Sequence, residues 1–140
     1  MDTIFVSIET TGLRKDDHEL IQLNLLDDDG PKQIDVKADK EPDPNAMKFN
    51  GLDHTKGLSR GEFSTQYGGI FDDKLVVLHC GKFTLKFLLD AGIRVGKFVD
   101  VMEEARTKEL PMKLNALAKH FSVDGTKCEK VRGVYEALND

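Results

Sequence analysis

The stretch Thr3-Ile4-Phe5-Val6-Ser7-Ile8-Glu9-Thr10-Thr11-Gly12 decides how the rest of the chain is read. Thr3 to Ile8 is apolar and β-branched, which predicts a strand. Gly12 marks the turn that ends it. Alternate residues of a strand point to the same side, so Ser7 and Glu9 share one face.

Outward from this strand, Glu19 to Leu26 and Gln33 to Val36 read as two further strands. They are separated by the turn sequence Asp27-Asp28-Asp29-Gly30-Pro31, which predicts an early antiparallel trio. Lys40 to Pro44 is a polar loop, and Asn45 to Phe49 a short helix stopped by Gly51. Ser59 is positioned to cap a helix from Arg60 to Phe71, with Phe63, Tyr67 and Ile70 on one face. The continuous apolar run Leu75-Val76-Val77-Leu78, within Lys74 to His79, suits a buried parallel strand. A helix follows over Gly81 to Ala91, then a last strand over Lys97 to Val101. Met112 to Phe121 and Lys127 to Leu138 read as the closing helices. The order βββ-α-β-α-β-α-α predicts an α/β domain with a central mixed five-stranded sheet flanked by helices, formed by residues 1–140 as a single domain.

Bulk properties narrow the function classes. At 39% hydrophobic and 32% charged, the chain has the balance of a globular domain rather than of disorder. It has no apolar run long enough for a membrane span. The start Met1-Asp2-Thr3-Ile4-Phe5 lacks the basic, apolar pattern of a secretory signal, so a cytoplasmic location is expected. Cys80 and Cys128 are then expected as reduced thiols. A net charge of −5 argues against nonspecific nucleic-acid binding by the whole surface. The charge is uneven, however. Lys15 to Asp43 holds ten acidic residues against four lysines, whereas Arg106 to Arg132 holds seven basic against three acidic.

Ser7-Ile8-Glu9-Thr10-Thr11-Gly12 resembles the first motif of the DnaQ-like, or DEDDh, 3′–5′ exonucleases, whose form is Asp-x-Glu-Thr-Thr-Gly. The resemblance continues in order along the chain. Asp43 to Leu52 is similar to the family segment after its third strand. His79-Cys80-Gly81-Lys82-Phe83-Thr84 is similar to its His-Asn-x-x-Phe-Asp. Asp100 to Arg106 and Leu114 to Phe121 are similar to the two stretches that follow. Val131 to Ala137 falls without gaps on its His-x-Ala-Leu-x-Asp-Ala. The resemblance implies a ribonuclease H-like fold and places Ser7, Glu9, Thr84, Val131 and Glu136 at the five catalytic positions.

In the family, four carboxylates hold two divalent ions that activate water and stabilise the leaving oxygen. Here two carboxylates, Glu9 and Glu136, remain, and Val131 stands where a histidine acts as general base. One unit charge 4 Å from another is worth about 4 kcal/mol at an effective dielectric near 20, so losing two carboxylates weakens metal binding severely. Losing the base removes a further factor of about 10²–10⁴. The expectation is therefore no cofactor, or a single weak Mg²⁺ or Mn²⁺ on Glu9 and Glu136.

The resemblance also makes Thr10, Thr11 and Asn50 candidates for touching a 3′-terminal nucleotide. Lys82, Lys130 and Arg132 are candidate phosphate contacts beside the old site. Phe49 is expected in the core rather than stacked on a base. His79 is expected to make a structural hydrogen bond at a strand end, and His18, His54 and His120 to play no part. The resulting expectation is a catalytically impaired module that binds a nucleic-acid 3′ end or a protein. The alternatives are an active Mg²⁺- or Mn²⁺-dependent exonuclease with substituted ligands, and an interaction protein with no affinity for nucleic acid.

Overall fold

The computed structural model describes residues 1–140. Strands β1 (Asp2–Thr10), β2 (Leu20–Asp27) and β3 (Gly30–Asp35) form the antiparallel trio. Helices α1 (Pro44–Asn50) and α2 (Arg60–Tyr67) follow, then β4 (Lys74–Leu78), α3 (Gly81–Asp90) and β5 (Lys97–Asp100). The chain closes with α4 (Val101–Thr107), α5 (Leu114–His120) and α6 (Lys127–Leu138). The sheet order is β3-β2-β1-β4-β5, with β4 and β5 parallel to β1.

Strand alternation divides β1 between two cores. Ile4, Val6 and Ile8 point into the larger one, beneath α2 and α3, with Phe63, Phe71, Phe87 and Leu88. Phe5 points to the other face, where Val77, Val101, Ala105, Leu117, Val131, Val134 and Leu138 pack. Ser7 and Glu9 are on that second face, at the end of β1 where the apolar cover runs out. Cys128 lies against Ser7 and Tyr135 against Phe5, so α6 runs antiparallel to β1. Between Glu9 and Thr10 the register with β2 slips, leaving Ile21 as an extra residue opposite them. Such a bulge twists the strand end and re-aims its side chains.

The mixed five-stranded sheet agrees with the sequence reading, and α6 has the span expected. The reading missed α4. It is only seven residues long, starts directly at the end of β5, and is capped by Asp100, which accepts from Met102 N. No helix is long and apolar enough to cross a membrane.

Candidate functional site

Three of the five family positions meet near the end of β1. Ser7, Thr84 and Val131 line one cavity of about 240 Å³, together with His79, Phe83 and Lys127. Their chemistry is already engaged. Ser7 Oγ lies 3.5 Å from Cys128 Sγ. Thr84 is buried, and its hydroxyl donates to the His79 carbonyl at 3.3 Å. Val131 is sealed into the second core. Cys128 Sγ also lies 3.3 Å from the Asn24 carbonyl, which can only accept, so the thiol keeps its proton. Burial pushes this thiol up, and the hydrogen bond from Ser7 only partly opposes that.

Glu9 is held by Lys127. The Lys127 ammonium donates to Glu9 Oε1, joining the end of β1 to the first turn of α6. A cation at a helix N-terminus opposes the helix dipole, by about 0.3–1 kcal/mol at exposed sites. Glu9 supplies the compensating charge. Thr126 and Glu129 form a capping box around the same turn, so the helix end itself is closed.

The structure does not bring Glu136 to Glu9. Glu136 lies nine positions after Lys127, about 13–14 Å further along the helix and roughly half a turn out of phase. It points to solvent, with its Oε1 3.8 Å from Arg132 Nε. The gapless register carried it to the far end of α6. No group of three or more His, Cys, Asp or Glu side chains is arranged so that it could hold a metal ion. A two-ion site does not fit this donor set: one carboxylate already bound to an ammonium, two engaged hydroxyls and a valine.

Beside Glu9, a second cavity of about 400 Å³ lies between the β1 end and α1. Asn50 Nδ2 donates to the Thr10 carbonyl at 3.2 Å, and Asp43 N to the Thr11 carbonyl at 2.8 Å. These bonds fix α1 against the strand. Thr10 donates to the Gly12 carbonyl, and Thr11 Oγ1 accepts from Glu19 N. Thr11 is fully buried. It therefore shapes the cavity rather than lining it, while Thr10 and Asn50 reach its wall. Phe49 also lines it and is 91% exposed, which corrects its expected place in the core. The physical reason is that α1 buries no residue at all, so its aromatic has no core to enter. Leu13, 80% exposed, faces the same space.

The other candidate cations lie elsewhere. Lys130 donates to Asn115 Oδ1 at 3.0 Å in the α5–α6 groove. Arg132 is taken up with Glu136, and Lys82 is exposed on the first turn of α3. His79 Nε2 lies 2.6 Å from the Met112 carbonyl, the expected structural bond, and so carries its proton on that nitrogen. The sequence reading missed Lys127. Its one local signal was a lysine directly after the threonine of a Thr-x-x-Glu capping box, at the first position of the helix, where a cation is out of place.

A family model of the RNase H superfamily matches residues 4–135. The chain belongs to the RNase H superfamily. Its fold is that of the DnaQ-like exonucleases. Escherichia coli exonuclease I in complex with a dT13 oligonucleotide superposes with a TM-score of 0.74 at 14% identity, over 98% of this chain and 39% of that one. The complex of exonuclease I with SSB-Ct gives 0.78 at 14% identity, over 99% and 40%. Exonuclease X in complex with 5′-overhanging duplex DNA gives 0.71 at 15% identity, over 98% and 89%. The chain thus spans about two fifths of the length of exonuclease I. No curated protein matches it in sequence.

Proposed function

We propose that this chain is a catalytically impaired exonuclease-fold module that holds the 3′ end of a single nucleic-acid strand. The observation that carries the reading is the Glu9–Lys127 ion pair. In the exonucleases that the sequence resembles, this glutamate binds metal. Here its charge is met by a cation built into the chain. Lys127 has further donor hydrogens for a phosphate oxygen. The cavity beside it offers Phe49 as a stacking surface, and base–aromatic stacking is worth about 1–3 kcal/mol per base. An exposed aromatic beside an ammonium is the combination that single strands bind.

The test uses labelled single-stranded DNA and RNA oligomers with Mn²⁺ or with EDTA. The expected result is salt-dependent binding in both buffers and no shortening. Mn²⁺-dependent shortening that disappears in Glu9→Ala would instead establish the active exonuclease. That reading is favoured by the intact Glu9 and by His79, which lines the cavity of Ser7 and Thr84. Absence of oligonucleotide binding would point to a protein partner.

A further inference from the structure

A third cavity, of about 480 Å³, opens on the opposite side of the Glu9–Lys127 pair from Phe49, and both residues line it too. Its floor is the sheet surface of β2 and β3 on the α6 side. The strand register lays two polar rows across this surface. Ser7, Asn24 and Gln33 form one, and Glu9, Gln22 and Asp35 the other.

Hydrogen bonds within and between the rows give every amide a fixed direction. Asp35 Oδ1 accepts from Gln22 Nε2 at 3.1 Å and from Gln33 Nε2 at 3.2 Å. Gln22 Oε1 in turn accepts from Asn24 Nδ2 at 3.0 Å. A carboxylate only accepts, so it pins both amide NH₂ groups toward itself. Asn24 Oδ1 and Gln33 Oε1 are left with no partner in the chain. The cavity floor therefore presents carbonyl acceptors, and Lys127 stands at its edge. Lys32 also lines the cavity but turns its Nζ over the Tyr67 ring, 5.3 Å from its centroid.

The geometry points to a base-reading platform for a second nucleotide, with the strand lying astride Lys127. Carbonyl acceptors bind exocyclic amino groups and reject a carbonyl at the same place. The platform accepts the amino group of cytosine and disfavours thymine, which carries an oxygen there. This inference rests on the binding reading above.

The test compares four-nucleotide oligo-dC with oligo-dT, two pyrimidines that differ in this group, by fluorescence anisotropy. Oligo-dC is expected to bind about fivefold more tightly, the effect of one ordinary hydrogen bond. Gln33→Ala, at an exposed edge position, is expected to abolish the difference, lowering oligo-dC affinity without lowering that of oligo-dT. Phe49→Ala is expected to weaken both oligomers alike. Equal binding of the two by the unaltered chain, or a preference that survives both Gln33→Ala and Asn24→Ser, overturns the platform alone. Failure of both oligomers to bind overturns the binding reading, and the platform with it.

Discussion

Two kinds of carboxylate sit in this fold, and they are held differently. Glu19 and Asp100 are bound by backbone. Glu19 Oε2 accepts from Asp39 N and Lys40 N at 2.8 and 3.1 Å, and its Oε1 lies 3.6 Å from Arg60 Nε. Asp100 accepts from Cys80 N, Gly81 N and Met102 N at 2.7–3.0 Å. Glu9 has one side-chain partner, Lys127, whose side chain is half exposed. Backbone donors cannot leave without unfolding something, whereas a lysine side chain rotates away freely. The first two carboxylates build the scaffold, and Glu9 remains available to exchange its partner.

Removing a backbone-held carboxylate has the largest effect at Glu19. Glu19→Ala leaves two amides without their acceptor and Arg60, whose Nη1 keeps the Leu20 and Lys37 carbonyls, without its countercharge, and is expected to cost about 3–4 kcal/mol. That corresponds to a fall in Tm of roughly 10 °C for a chain of this length, read by calorimetry. Asp100→Asn keeps one acceptor oxygen but loses the charge, with an expected cost of about 1–2 kcal/mol by urea unfolding. Lys127→Ala is expected to cost less than about 1 kcal/mol, since the pair is partly solvated. A loss as large as that of Glu19→Ala would show that Glu9 is scaffold after all. In the same variant, oligonucleotide affinity should fall severalfold and its salt dependence should flatten by about one phosphate contact.

The smallest effect concerns Cys128, next to Lys127 but turned inward. Burial raises its pKa in the folded state, so the unfolded chain ionises first. This contribution to stability is intact below the ordinary thiol value and is lost as pH rises through the folded value. Stability measured from pH 8 upward should decline, and Cys128→Ala should remove that part of the slope.

Much of this was legible in the sequence, and the reasons differ by region. The span of α6 was readable because Lys127 to Leu138 carries apolar residues at helical spacing. The sheet was readable because turn residues punctuate apolar runs. Helix α4 was not, because seven residues joined directly to a strand offer little periodicity, although Asp100 with Glu103 and Glu104 is a start signal. Ser7 and Thr84 meet at one cavity because one lies near the end of β1 and the other in the first turn of the helix that follows β4. Glu136 was misplaced because a helix turns about 100° per residue, so an alignment shift of a few positions moves a side chain to another face. Lys127 was invisible as a partner of Glu9 because 118 positions separate them. Phe49 was expected inside because aromatics usually are, and only the shallow seating of α1 shows otherwise.

The antiparallel docking of α6 along β1 has a consequence for the order in which the molecule assembles. The sheet can seal its larger core with residues up to Ile93. Phe5, Leu75, Val77 and Val99 on the reverse side wait for Val131, Val134 and Leu138. During synthesis, a chain released only as far as α5 presents a half-clothed sheet, the kind of surface that chaperones bind and that aggregates at high concentration. Delayed arrival of the twelve-residue helix α6 would therefore be felt first as poor yield of folded protein, before any change in what the folded domain binds.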